Sequence, residues 1–402
     1  MKLTNIFQLS LLMLGTFFGQ AAHAQTFSVI HNFGDAAGSN PHAGVTLRAG
    51  VLYGTTYNGG YGQGSIYRMT GQGSTWTATI IYPFSSDVGV HPAARVVFGP
   101  DGRLYGTALI GGAFNGGTVF DLLPPLSACK TANCFWKPTV IHEFSGADGL
   151  EPGFGDSVWD QQGNLYGVTT EGGNSVNGNV FQLTPSGNTW TETTVHNFTG
   201  SDDGRRPIGG LVVDGNGNVF GTTSAGGPMA NGIVFELSYV AGVGWNKTLI
   251  YAFSNASEGG LPIGGLLLDK AGNLYGTTAF GGTGGGGTVF ELSPSGSSWT
   301  FHLLYSFVGR GVCGPQASLT MDATGNLYGT TLCGGDHMQG NVFKLTNTGS
   351  GWTYTSLHDF TGGDDGGSPY SNVTIDTDGV TLYGTAEFGG SNGAGVVWMI
   401  KP

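Results

Sequence analysis

A few ionisable residues break an otherwise regular pattern, and they are where chemistry would sit. Glu171, Glu387 and the pair Asp336-His337 occupy loops that carry Gly-Gly, while His91, Glu151, Arg205, Arg206 and Arg310 occupy a second set of loops that end in proline. Two carboxyl groups across a cleft can cleave a glycosidic bond, one as acid and the other as base or nucleophile. A His or Tyr beside Arg would suit a lyase instead. Tyr57, Tyr61, Phe114, Phe280, Tyr370 and Phe388 flank the same loops, where exposed aromatics could stack on sugar rings. Taken singly, each of these residues is more simply a solvated loop residue. Their meaning depends on whether the fold gathers them at one place.

What must position them is a repeat. The phrase Leu-Tyr-Gly-Thr-Thr recurs with its aromatic at Tyr53, Tyr105, Tyr166, Phe220, Tyr275, Tyr328 and Tyr383, at intervals of 52 to 61 residues. Each unit contains four short runs rich in β-branched and aromatic residues, bounded by Gly, Pro or Asn. In one unit these are Leu266–Asp269, Asn273–Thr278, Gly287–Leu292 and Trp299–Phe307. Strand-only units of this length predict an all-β, seven-bladed β-propeller with four-stranded blades. Two further registers agree on seven: a Phe closing the fourth strand (Phe33, Phe84, Phe144, Phe198, Phe253, Phe307, Phe360) and a proline eight or nine residues later (Pro41, Pro92, Pro152, Pro207, Pro262, Pro315, Pro369).

The chain starts on a lone fourth strand, Phe27–Phe33, and ends on a third strand, Gly395–Ile400. Pairing the two would complete the last blade and remove an open sheet edge. Residues 25–402 are therefore expected to form a single domain.

The Gly-Asn-Leu-Tyr-Gly-Thr-Thr core followed by Gly-Gly, clearest at Gly272–Gly282 and Gly325–Gly335, resembles the GloVer-type tandem repeat of secreted bacterial proteins. The likeness spans residues ~26 to 400, and weakens where no Gly-Asn precedes Leu52 and where Phe220 replaces Tyr. The resemblance implies an exported or surface protein and supplies no catalytic motif. Gly-Asn-Leu-Tyr alone also resembles the NHL and lactonase-type propellers.

Tandem repeats separate scaffold from chemistry, because a residue type present in every blade does a blade's work. His31, His142, His196 and His358 share one position with Tyr82, Tyr251 and Tyr305, so that position wants a planar body and one polar tip. The aspartates Asp160, Asp214, Asp269, Asp322 and Asp376 precede turns and are read as caps on backbone N–H groups. The fourth-strand tryptophans (Trp76, Trp136, Trp190, Trp245, Trp299, Trp352) are read as packing between blades. A recurring acid in the proline loops (Asp35, Asp87, Asp148, Asp202, Glu258, Asp364) is first a turn residue.

Composition limits the partners. Charged residues make up 10% of the chain and the net charge is -12, with no basic run, which excludes a nucleic-acid binder. Lys2, the apolar stretch Ile6–Phe18 and Ala22-His23-Ala24 read as a secretory signal over residues 1–24, and no later apolar run could span a bilayer. Export makes disulfides of the four cysteines, Cys129 with Cys134 and Cys313 with Cys333, the latter pair symmetric about a predicted hairpin at Ala323.

The chain is thus expected to be a secreted or periplasmic monomer that binds an extracellular carbohydrate or cell-envelope component, with no cofactor and no metal. The binding residues would be His91, Arg205, Arg206, Asp336, Tyr57, Tyr61, Phe114, Phe280, Tyr370 and Phe388. One alternative is a polysaccharide lyase or glycoside hydrolase using Glu151, Glu171, Glu387, His337 and Arg310. A second is a surface scaffold for other proteins.

Overall fold

Every Leu-Tyr-Gly-Thr strand holds its glycine directly opposite an aromatic ring on the third strand. Gly276 faces Phe290 and Gly384 faces Trp398 across the ladder. A Cβ would stand 2.4 Å from the Phe290 ring and 2.2 Å from that of Trp398. The same pairing places Tyr67, Phe120, Phe181, Phe235 and Phe343 over glycines, and all seven rings are fully buried. The repeat keeps its glycine because the blade fills the missing side chain's volume with an aromatic.

The computed structural model describes residues 25–34, 38–60, 62–72, 75–125, 134–254, 257–309 and 311–401. Seven four-stranded antiparallel sheets form the blades, numbered here 1 to 7 from the sheet that contains Tyr53 to the one that contains Tyr383. Blade 5 runs Leu267–Leu268, Leu274–Thr278, Gly285–Ser295 and Ser298–Val308. The closure follows the order of the sequence marks: Thr26–Asn32 pairs with Val396–Lys401 as the outermost strand of blade 7. Among the described residues no helix is long and apolar enough to cross a membrane.

The first strands are two residues long in blades 2 to 7, shorter than expected, and in blades 3 to 7 this is because the aspartate leaves the ladder to organise the turn. Asp269 Oδ1 accepts from the N–H groups of Ala271 and Asn273, both at 2.8 Å. Its Oδ2 accepts from Asn273 Nδ2 at 2.9 Å and from the Tyr275 hydroxyl at 3.3 Å. Asp160 and Asp322 repeat the whole arrangement. The Asp, Asn and Tyr of the repeat are one hydrogen-bonded unit.

Two devices join blade to blade. Five of the second-strand aromatics meet a fourth-strand Trp of the neighbouring blade, as Tyr105 meets Trp190 at 5.9 Å and Tyr383 meets Trp76 at 5.8 Å. The first threonine of Gly-Thr-Thr donates to a carbonyl of the next blade's channel loop, Thr55 to Ala94, Thr277 to Ala317, and Thr385 to Ala43 across the closure. Blade 3 has Val168 there, and in blade 2 the Thr107 hydroxyl is buried without a partner.

Three of the four strand-end histidines bond an aspartate, and they correct the acidic register. His142 bonds Asp148 at 2.9 Å, His196 bonds Asp203 at 3.2 Å, and His358 bonds Asp365 at 3.0 Å. Asp202 and Asp364, read from sequence as the recurring acids, are exposed, and their neighbours take the role. Two adjacent aspartates offered the choice, and only the second lies four residues before the proline, as Asp148 does.

Cys313 and Cys333 are bonded, with Cα atoms 4.7 Å apart. They stand in loops beyond the hairpin strands, where they were expected to face one another within it. Six blades tie these two loops with an isolated backbone bridge, such as Leu150–Glu171 or Gly367–Phe388. Blade 6 has the disulfide at that position, plus a hydrogen bond from Cys333 N–H to the Cys313 carbonyl. Reduction is expected to lower the melting temperature by a few degrees through a looser unfolded-state reference. An unchanged melting curve after verified reduction would sink that expectation. The proposed Cys129–Cys134 pair lies outside the described residues through Cys129.

Candidate functional site: the channel mouth

The proline loops place one residue per blade just before proline, and six of the seven adopt left-handed backbone: Asn40, His91, Glu151, Arg206, Leu261 and Ser368, with φ between 52° and 58°. None is glycine, so each holds strain of roughly 1 kcal/mol that the surroundings must enforce. They do so at both backbone groups. Glu151 donates its N–H to the Gly116 carbonyl of blade 2 at 3.1 Å and accepts from Thr170 N–H at 3.3 Å. Arg206 does the same with Asn177 and Ser224 at 2.8 and 3.0 Å, and His91 with Gln63 and Leu109 at 3.0 and 3.4 Å. Side chains at this ring are fixed in direction by clamped backbone.

Three more rings lie with it. Residues following Thr-Thr are Tyr57, Leu109, Thr170, Ser224, Ala279, Leu332 and Glu387 in blades 1 to 7. Below them the channel wall is His42, Ala93, Phe154, Ile208, Ile263, Gln316 and Tyr370, and the waist is Gly44, Arg95, Asp156, Gly210, Gly265, Ser318 and Asn372. The wall and most of the waist, with Thr170 and Arg206 from the two rings above, line a cavity of about 310 Å3. The polar and aromatic members cluster in blades 6, 7, 1, 2 and 3, with Arg206 beside them, while the walls of blades 4 and 5 supply Ile208, Ile263 and glycines.

On the functional side, Tyr57 stacks on His91, ring centroids 4.6 Å apart. The His91 Nδ1–H donates to the Tyr57 carbonyl at 2.9 Å, which leaves Nε2 as the lone-pair nitrogen of the neutral ring. His42 stacks on Tyr370 at 4.5 Å and meets the Phe154 edge at 5.9 Å. Burial pulls the His42 pKa down to about 4, against a hydrogen bond with the Ala93 backbone that raises it, so the ring is neutral at ordinary pH.

The carboxyls behave oppositely. Burial pushes Glu387 up to about 7, which keeps a large share of it protonated near neutrality. Glu151 is raised by burial and by Glu171, with Arg206 pulling the other way. Burial and then the Glu151 and Glu387 charges raise Tyr57, and burial with Glu387 raises Tyr370. These residues feel one another across the mouth.

At the waist, Arg95 Nη2 meets Asp156 at 2.7 Å, and the Arg95 backbone N–H and Nε donate to the same carboxylate at 2.9 and 2.8 Å. The Asn372 amide, with its oxygen toward the guanidinium, accepts from Nη2 at 3.0 Å.

Of the residues singled out from sequence, Tyr57, His91, Glu151, Arg206, Tyr370 and Glu387 come together here. Glu171 is exposed at the rim but acts on Glu151 through its charge, and Arg205 is exposed with its backbone bridged to Ala225. Phe114 and Phe388 are 64% and 49% exposed on outer loops, Phe280 is half-buried, and Asp336 and His337 are exposed at a loop tip in blade 6. Tyr61 and Arg310 lie outside the described residues. Among the described residues no group of three His, Cys, Asp or Glu could hold a metal ion.

Sequence reasoning missed His42, Arg95, Phe154, Asp156, Thr170 and Asn372. The available signal was departure from the Pro-Ile-Gly-Gly of Pro207–Gly210 and Pro262–Gly265. It was blurred in blade 3, where one extra residue moves Phe154 and Asp156 to two and four places after Pro152 instead of one and three.

The sequence profile of the Gloeobacter/Verrucomicrobia repeat matches residues 12–212, 125–322 and 210–402. No curated protein matches the chain. A protein of Bacteroides uniformis, designated a 6-phosphogluconolactonase, superposes with TM-score 0.53 at 18% identity, over 84% of this chain and 88% of its own. A polysaccharide lyase, an ulvan lyase of family PL25, superposes with TM-score 0.53 at 10% identity, over 90% and 93%. At such identities the likeness is one of fold.

Proposed function

We propose, for a chain that belongs to the Gloeobacter/Verrucomicrobia repeat family, that the channel mouth is a carbohydrate-binding site. The observation that carries this reading is the two-sided cavity. Sugars present apolar C–H faces and a belt of hydroxyls, and one wall here offers His42, Tyr370 and Phe154 while Asp156, the Gln316 and Asn372 amides and Arg206 stand beside it. The carbohydrate words in the names of the two fold relatives agree with this reading. The site would work outside the cytoplasm, supported by the export signal read in residues 1–24 and by the Cys313–Cys333 bond, which needs an oxidising compartment.

Binding by residues 25–402 would be measured by calorimetry against soluble oligosaccharides and polysaccharides of plant and microbial origin. Tyr370→Ala is expected to weaken any sugar that binds by about tenfold or more, through lost stacking. Binding untouched by Tyr370→Ala would move the site elsewhere.

A second reading, cleavage, is favoured by one observation: Glu387 titrates near neutral pH. Such a carboxyl can donate a proton to a leaving oxygen, with His91 Nε2 as the base. Release of new reducing ends, abolished by Glu387→Gln while binding persists, would establish an enzyme. Retained release in that variant would remove Glu387 from the chemistry.

A further inference from the structure

We propose that the mouth takes the end unit of a glycan chain, or a free sugar of one or two rings, and not the interior of a polymer. This rests on the carbohydrate reading above and adds how the ligand enters.

The channel is shut beneath the cavity. Arg95 and Asp156, from adjacent blades, close on one another at 2.7 Å, and Asn372 of blade 7 reaches the same guanidinium. The remaining loops touch through bare backbone. A Cβ on Gly44 would lie 2.7 Å from the Asn372 carbonyl oxygen, and one on Gly265 2.7 Å from that of Gly210. Above this waist lies the 310 Å3 cavity, and below it a separate one of about 530 Å3. No polymer threads through.

Beyond the polar groups of the mouth, a second set able to recognise hydroxyls lies inside the cavity. Asp156, Asn372, Gln316 and Ser318 belong to the channel wall and waist, below the pre-proline ring. Thr170 also lines the cavity, and its hydroxyl is buried with no hydrogen-bond partner in the protein. A buried hydroxyl left unpaired is unfavourable, and a ligand that descends to it removes that penalty. A chain lying across the rim would leave all five unused. The volume is that of roughly ten waters at ~30 Å3 each, room for one or two sugar rings.

The test uses starch, laminarin, xylan and alginate, each intact and partially hydrolysed to oligomers, with cyclodextrins as α-glucans that have no ends. Titration against residues 25–402 counts sites per gram. End recognition requires the count to rise in proportion to chain ends, and cyclodextrins to be silent if maltooligosaccharides bind. A count that follows mass and ignores hydrolysis overturns end recognition and leaves carbohydrate binding standing. No binding to any preparation overturns both. Thr170→Val, which keeps shape and removes only the unpaired hydroxyl, is expected to weaken binding of the best oligomer ~5-fold with a melting temperature equal to or above that of the wild type. Equal affinity in that variant would show that the ligand stays at the rim, against the proposal.

Discussion

Asp203→Ala should destabilise the fold by about 3 kcal/mol, while Asp202→Ala, one residue away, stays within about 0.5 kcal/mol. Asp203 accepts from Lys247 Nζ at 2.6 Å, from His196 Nε2 at 3.2 Å and from the Thr199 N–H at 2.8 Å. Lys247 is 12% exposed, so removing the carboxylate leaves a largely buried ammonium without its counter-charge. That uncompensated charge, more than the lost attraction, sets the size of the effect. Asp202 is exposed at the same turn. Guanidinium unfolding midpoints of the two variants decide the matter, and equal losses would discard the assignment.

A pH dependence accompanies it. Burial alone would raise the Asp203 carboxyl, but the hydrogen bonds from His196 and Lys247, then from Thr199, hold it well below the usual carboxylate range. The folded state therefore binds this proton more weakly than the unfolded chain does. The stabilisation is complete above the ordinary Asp value of ~3.9 and disappears as pH falls below it toward the folded value. The wild-type protein should lose this component in acid, and Asp203→Ala should lack it at every pH.

Gly276→Val is the second large effect, expected at about 3 kcal/mol or more. Phe290 cannot withdraw from an added side chain 2.4 Å away: it is fully buried, with Phe253 at 5.2 Å and Phe301 at 5.8 Å on its other sides. Gly215 meets nothing within 4 Å of an added Cβ, and Gly215→Ala should be nearly neutral. Gly215 holds a turn position that Gln161, Lys270 and Ala323 fill in other blades, so the contrast separates packing from glycine content as such. Comparable melting temperatures for the two variants would refute the aromatic-over-glycine account.

The architecture was legible because each blade solves the same packing problem with the same residues. Tyr275 has to reach Asp269, Gly276 has to lie under Phe290, and Thr277 has to reach the next blade, so their spacing cannot drift. The site was legible where a departure carried charge or put an aromatic beside the loops, as Tyr57 and Tyr370 do. Glu151, Arg206 and Glu387 stood out, whereas His42, Phe154 and Asn372 sit in short runs that resemble the start of a strand. Register mattered as much as type. Glu387 aligns with Thr170 and faces the channel, whereas Glu171 aligns with Phe388 and faces solvent, a one-residue offset invisible until Gly167 and Gly384 are superposed.

The pairing of Thr26–Asn32 with Val396–Lys401 also fixes an order of events. The first strand to leave the ribosome is the last to find its partner, since the partner is made only after every other blade. Until then two sheet edges stand open at opposite ends of a nearly finished ring, and joining them requires closing a loop that spans almost the whole chain. A permuted chain, cut between two strands of blade 4 and joined from Lys401 to Thr26, would convert that late encounter into a local hairpin. It should refold faster to the same ring, and its slowest step would move to blade 4.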